Sequence, residues 1–325
     1  MKVIQITQPG GPEVLQSTER EKPQPKTGEV LIQVRAAGVN RPDVLQRMGK
    51  YPAPKDAPAD IPGLEIAGII EKVGEEVKHW RTGDPVCALI SGGGYAEYVT
   101  APAPQCLPVP DGLSMEEAAS LPETFFTVWN NIFDIGHFKA KDAVLVHGGS
   151  SGIGVSAIQM IKASKGKVYV TAGTQAKCEA CERLGADKAI NYKEEDFVSR
   201  IKAVTGGEGV DIILDMVGGD YAAQNIEILK PKGRLIMINA MKGKMATIDL
   251  IRVMSKQLMI TGSTLRPQSV EYKGKIAQNL LKHIWPYIPT QIKPVIFENF
   301  PLADASKAHQ LMESSSHIGK IVLTI

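Results

Sequence analysis

Cysteine is scarce in this chain: four residues, at 87, 106, 178 and 181 of 325, are too few and too scattered to build a disulfide framework. Cys178 and Cys181 form a C-x-x-C pair. It lies in AKCEACERLG, a predicted helix with no second pair nearby, so two small helix residues are a plainer reading than a zinc or redox site. Long apolar runs are missing too. No stretch approaches eighteen uninterrupted apolar residues, and the opening MKVIQITQPGGPEVLQ is too polar for a signal peptide, so the expectation is a cytoplasmic protein with no membrane partner. A dominant charge is likewise absent. The net charge is +2 with 22% charged residues and no polybasic run, so neither nucleic acid nor an anionic membrane is expected as a partner. The six histidines are dispersed, none in a recognisable nucleophile–base–acid motif, which leaves hydrolysis without support.

What is present centres on AVLVHGGSSGIGVSAIQMIKASK, residues 143–165. An apolar run reaches a cluster of Gly148, Gly149, Gly152 and Gly154, followed by apolar residues at helical spacing. Strand, tight turn and helix are predicted, with a second strand at 167–172 closing a βαβ unit. A helix that starts at a glycine turn leaves its first N–H groups unpaired, and their partial positive charge suits a pyrophosphate. Residues Gly149, Ser150, Ser151, Gly152, Ile153 and Gly154 are therefore candidate cofactor-binding residues. Laid over G-x-G-x-x-G, the three glycine positions fall on Gly149, Ser151 and Gly154. Ser151 offers a small hydroxyl able to donate to a phosphate where a glycine normally stands, and Gly152 offers compensating space.

The end of the second strand selects the cofactor. An NAD site would place a carboxylate there for the ribose hydroxyls. The sequence instead gives Gly173, then Thr174 and Lys177, with no acidic residue until Glu179. Space, a hydroxyl and a cation suit a 2′-phosphate, which predicts NADPH over NADH. An ordinary solvated lysine is the plainer alternative for Lys177. A cation in the first turn of a helix is mildly unfavourable, however, which tilts the reading toward function.

At 325 residues two domains are expected. Residues 1–122 carry short β-rich runs (2–7, 29–37, 65–73, 85–90, 96–100) between Gly and Pro clusters, as in a β-rich barrel-like domain. From 123 to 267 long elements alternate: a helix at 124–133, the glycine strand, then strands at 167–172, 188–191, 210–214, 233–238 and 258–262 with helices between most of them. Six strands of this kind predict an α/β, doubly wound parallel sheet. Residues 268–325 carry a helix over 269–287 and then short elements expected to return to the first domain. Ligands bind such sheets at the C-terminal edge. That makes Met216 and Val217, Asn239, Ala240 and Met241, and Ser263, Thr264 and Leu265 candidates to line a nicotinamide, although each could equally be an ordinary loop residue.

PGGPEVL, AAGVNRPDVLQRMGKYP, PGLEIAG, VHGGSSGIG, LGADKAINYKEEDF and HIGKIVL, in this order over the full length, resemble the zeta-crystallin-like NADPH:quinone oxidoreductases of the medium-chain dehydrogenase/reductase superfamily. The resemblance implies a GroES-like catalytic domain, a Rossmann domain, a cleft between them and a homodimer paired through the Rossmann sheets. It puts Asn40 and Tyr51 at the nicotinamide and substrate, with Tyr51 either donating a hydrogen bond to a developing oxyanion or serving as an aromatic lid. Tyr192 would stand near the 2′-phosphate, and Lys320 would reach the cofactor or be a plain strand lysine. Asp43 reads as a helix-turn hydrogen bonder. The zinc-ligand positions of the alcohol dehydrogenases are occupied by Asn40 and Leu64, so no metal is expected. Without zinc, a quinone, already electrophilic, is an easier partner than an alcohol.

Three functions follow from these readings. The first is an NADPH:quinone oxidoreductase. The second is an NADPH-dependent enal, enone or enoyl-thioester double-bond reductase, in which Tyr51 would protonate carbon. The third is a non-catalytic NADPH-binding protein.

Overall fold

The computed structural model describes all 325 residues, and they divide into two units: Met1–Phe126 with Arg266–Ile325, and Thr127–Leu265. The expected boundaries after 122 and 267 shift to 126 and 265. Glu123 donates its backbone N–H to Glu65 Oε2 at 2.8 Å, and Arg266 donates to Ser91 O and Gln46 Oε1. These bonds hold both residues in the first unit.

The first unit opens with the antiparallel pair β1 (Lys2–Ile6) and β2 (Leu15–Glu19). Then come β3 (Glu29–Val39), helix α1 (Arg41–Arg47), β4 (Glu65–Val73), β5 (Pro85–Leu89), β6 (Tyr98–Pro102), β7 (Cys106–Pro108), α2 (Met115–Ala119) and α3 (Pro122–Val128). The predicted helix 124–133 is interrupted, because the residues Trp129–Ile135 wind as a π-helix.

In the second unit the strands are β8 (Ala143–His147), β9 (Lys167–Ala172), β10 (Lys188–Asn191), β11 (Val210–Asp215), β12 (Leu229–Met237) and β13 (Met259–Gly262). The helices are α4 (Gly152–Ala163), α5 (Gln175–Arg183), α6 (Phe197–Val204), α7 (Tyr221–Ile228) and α8 (Leu250–Lys256). The sheet is wholly parallel in the order β10-β9-β8-β11-β12-β13. Its central strands are covered on both faces, which is why 144–146 and 212–214 read as unbroken Val, Ile and Leu, all buried. Strand order reverses between β8 and β11, the place where such sheets open a crevice at their C-terminal ends.

The return segment supplies α9 (Val270–His283), α10 (Ala305–Ser314), β14 (Ile296–Pro301) and β15 (Lys320–Thr324). Helix α9 stops short of the predicted 287, since Pro286 cannot continue it and a 3-10 turn, Trp285–Tyr287, takes over. Strands β14 and β15 extend the large sheet of the first unit, ordered β14-β15-β3-β4-β5-β7 with β6 also paired to β3. Its core alternates along the strands: Val30, Ile32 and Val34 of β3 face inward with Ile66, Ile70, Val86, Ile321 and Leu323.

Candidate functional site

At the end of β8 the chain turns through Gly148, whose φ of +76° strains any residue with a Cβ. A Cβ on Gly149 would lie 2.5 Å from Val170 of β9, and one on Gly154 would lie 2.3 Å from the Gly149 carbonyl. Glycine at both places therefore lets helix α4 close onto the sheet. Ser150, Gly152 and Ile153 keep backbone N–H groups that no carbonyl of the chain accepts, and together they form an anion cradle at the helix N-terminus. The Ser151 hydroxyl is engaged within the turn. It donates to Gly148 O at 2.8 Å and accepts from Gly154 N at 3.1 Å, so its one proton is committed and it serves as the N-cap of α4.

Beneath the turn lies a buried polar brace that the sequence did not signal. His147 Nε2 stands 2.8 Å from Asn225 Oδ1, and its Nδ1 stands 3.0 Å from Thr171 Oγ1. Asn225 Nδ2 donates to Asp215 Oδ2, while Asp215 Oδ1 accepts from Val217 N and Gly218 N. Because Asn225 already points its amide N–H at Asp215, its oxygen faces His147, which must then carry its proton on Nε2. Burial holds the imidazole pKa down, consistent with that neutral ring. The brace fixes the C-terminal ends of β8, β9 and β11 together.

At the tip of β9 the predicted cluster assembles. A Cβ on Gly173 would approach Tyr192 Oη at 2.8 Å, so the glycine seats the tyrosine. Thr174 caps α5 by accepting from Lys177 N. Lys177 is lowered by burial first, with Cys181 raising it and Lys193 lowering it. Lys242 Nζ lies 5.6 Å from the Tyr192 ring centre and 5.0 Å from that of Tyr221. Lys193 and Lys242 were not singled out from the sequence, for both sit in loops whose approach depends on the fold.

The remaining candidates of this unit follow the C-terminal ends of β11, β12 and β13, as the topology predicts. Met216 packs against Gly148, where a Cβ would lie 2.9 Å from its Sδ. Met241 N donates to Met216 O, and Asn239 accepts from Ala240 N with its own side chain. Ser263 is held by Asn130 and Asn131: its hydroxyl accepts from Asn130 Nδ2 and donates to Asn131 Oδ1 at 2.8 Å. Thr264 and Leu265 close the series.

In the first unit Asn40 caps helix α1. Asp43 accepts from Asn40 N at 2.8 Å and from Gly63 N at 3.0 Å. Burial, opposed by those hydrogen bonds, pushes the Asp43 carboxyl up to about 6. The Asn40 amide donates to Glu65 Oε1 at 2.8 Å and accepts from Lys320 Nζ at 2.6 Å. Lys320 also donates to Glu65 Oε1 and to Val39 O. The Lys320 ammonium is buried, and it donates to Val39 of β3, to Asn40 ahead of α1 and to Glu65 of β4. Asn40 retains one N–H. Tyr51 is half-buried with the Arg266 guanidinium 5.2 Å from its ring centre. Burial, then the Glu123 carboxylate, raises its hydroxyl above the ordinary range, and Arg266 opposes them. Burial, reinforced by Glu65 and relieved by Lys320, pushes Glu123 up to about 8. Neither Arg266 nor Glu123 stood out in the sequence, because each becomes notable only through what the fold packs against it.

Known proteins match these two units in order. A family model for the alcohol dehydrogenase GroES-like domain matches residues 26–111, and one for zinc-binding dehydrogenases matches 152–281. Rat (Rattus norvegicus) quinone oxidoreductase is 32% identical over 332 residues, an alignment covering 100% of this chain and 98% of that protein. The chain belongs to the medium-chain dehydrogenase/reductase superfamily. Among solved members, Escherichia coli quinone oxidoreductase complexed with NADPH superposes with a TM-score of 0.87 at 30% identity, covering both chains fully. An NAD-dependent alcohol dehydrogenase gives the same TM-score, 0.87, at 30% identity and full coverage of both chains, so likeness alone does not choose between cofactors. The residues present do not fit the zinc named in the family model. Leu64 has no donor atom, Asn40 and Glu65 are bound to Lys320, and no group of three or more His, Cys, Asp or Glu is placed to hold a metal.

Proposed function

We propose that this member of an oxidoreductase superfamily is a zinc-independent NADPH:quinone oxidoreductase. The observation that carries the cofactor choice is the tip of β9, where Gly173 seats Tyr192 beside Lys177, Lys193 and Lys242 and no carboxylate occupies the glycine's position. A ribose 2′-hydroxyl wants an acceptor there, while a 2′-phosphate wants cations and room. The N–H groups of Ser150, Gly152 and Ile153 would hold the pyrophosphate, and the loops after β11, β12 and β13 would flank the nicotinamide. The bound cofactor supplies the hydride. The chain's part is to position and to stabilise charge: Asn40 presents its remaining N–H, and Tyr51, kept neutral by its raised pKa, presents an O–H to the acceptor's oxygen. The quinone assignment is supported by the full-length quinone oxidoreductase relatives and by the missing zinc donors.

We further propose a homodimer, supported by the free outer edge of β13 and the apolar face beside it on α8. Four free, buried thiols suit a reducing compartment such as the cytoplasm, and no helix is long and apolar enough to cross a membrane. The test is NADPH oxidation followed by absorbance with an ortho-quinone, a para-quinone, an enal and an enone, repeated with NADH. Fast turnover of the quinones with NADPH alone is expected. Turnover confined to the enal or enone would replace the acceptor class, and equal use of NADH would overturn the reading of Gly173 and Lys177.

A further inference from the structure

The first unit holds a buried cation with one nitrogen left without a partner. Arg266 is only 9% exposed. Its Nε donates to Ser91 O at 2.8 Å and its Nη2 to Gln46 Oε1 at 2.7 Å. Gln46 is itself anchored, donating to Ala59 O, and Lys273 Nζ donates to the Arg266 carbonyl at 3.2 Å. The guanidinium is thus fixed in plane and position, with the Tyr51 ring 5.2 Å away. Its third nitrogen, Nη1, is buried and has no hydrogen-bond partner. Buried donors are paired in nearly all folded proteins, and leaving one on a charge unpaired is costly, so an exception calls for a cause such as a catalytic role or a bound group.

We propose that Arg266 Nη1 is a further donor to the acceptor's carbonyl oxygen, acting beside the Tyr51 hydroxyl. This rests on the reading above that the acceptor is a conjugated carbonyl compound. Asn40 is the weaker donor for the role, since its amide is neutral and already donates one N–H to Glu65 while accepting from Lys320. Arg266, by contrast, offers a permanent charge, a rigid fork and the idle N–H groups of Nη1. The chemistry suits it: hydride addition converts a quinone to the hydroquinone monoanion, placing the new charge on oxygen, and one proton from solvent water then completes the two-electron reduction. A fixed guanidinium stabilises that oxygen more in the anion than in the quinone, so it acts on turnover as well as on binding. An acceptor already carrying an ionised oxygen is recognised best.

The probe is 2-hydroxy-1,4-naphthoquinone, an enolate at neutral pH, titrated calorimetrically into the full-length protein saturated with NADP⁺. Arg266→Gln is expected to weaken probe binding by about tenfold to a hundredfold, the range for losing a hydrogen bond to a charged group. Arg266→Lys, which keeps the charge but not the fork, should fall between. In turnover with a quinone, kcat should drop along with kcat/KM, while NADPH affinity stays within about twofold. Because Arg266→Gln also strips Ser91 and Gln46 of a donor, its melting temperature is read alongside. If that variant does not fold, the unmodified protein decides the matter: the Arg266 side-chain NMR signals must shift when the probe is added. A folded Arg266→Gln protein that binds the probe like wild type overturns the proposal, as does an unmoved Arg266 signal. The parent reading fails separately, through absence of wild-type turnover with every carbonyl acceptor, and the probe titration is informative either way.

Discussion

Single side chains carry the proposed choice of cofactor. Lys177→Ala should weaken NADPH binding by about tenfold to a hundredfold, the worth of a charge-assisted hydrogen bond, and leave NADH binding unchanged. Fluorescence titration with both nucleotides reads the split, and equal losses would remove Lys177 from the 2′-phosphate site. The missing carboxylate behind that proposal was legible in VYVTAGTQAKCE. Lys193 and Lys242 were not legible, because loop residues converge only through the fold. Asp43 makes a different prediction. Its carboxyl is completely buried, and its pKa rises from 3.8 to about 6 on folding. A carboxyl raised in the folded state favours folding while protonated, so its contribution is complete below pH 3.8 and is lost as the pH rises through about 6. The amount is on the order of 3 kcal/mol. Denaturant unfolding from pH 4 to 7 should therefore show wild type losing stability relative to Asp43→Asn, which cannot ionise; parallel curves would contradict the assignment.

Elements were read best where periodicity is strong. The strands 167–172 and 188–191 were expected with their observed limits, the first through the run Val168–Val170 of a strand paired on both sides, the second through its place after a helix of βαβ length. Strand β7 has only three residues, and α8 buries none of its own, so neither leaves a pattern to find. Helix α2 did carry a signal, the capping box formed by Ser114 and Glu117. At the glycine turn the sequence located the helix start, and Ser151, which can serve either a phosphate or its own helix, caps α4. Its observed bonds to Gly148 O and Gly154 N make a direct forecast. Ser151→Ala should lose about 1 kcal/mol of stability, the usual cost of an N-cap. NADPH affinity should fall by less than about threefold, since the N–H cradle remains. Thermal unfolding and nucleotide titration separate the two, and a large loss of affinity with unchanged melting would restore the hydroxyl as a phosphate donor.

For the whole molecule, the open question is how the sheet of the second unit ends. Strand β13 is the last in the order and has no neighbour on its outer side. Helix α8, just before it in sequence, exposes Leu250, Ile251 and Met254 at 65%, 70% and 64%, and Met245 nearby reaches 86%. An unprotected edge beside an apolar patch is costly to leave in water and is a ready template for pairing with another strand. A two-fold partner would satisfy both at once: its own β13 could continue the sheet, and its α8 could cover the methionines and isoleucine. The expected particle is then twice the 35.1 kDa chain mass. Ile251→Glu combined with Met254→Glu should return it to the single-chain mass in sedimentation, because each carboxylate would be buried without a partner. Since a dimer is stabilised by mass action, the wild-type melting temperature should also rise with protein concentration, and that of the double variant should not. A wild-type protein that sediments at the single-chain mass, with a melting temperature independent of concentration, would leave the edge unpaired and remove this interface.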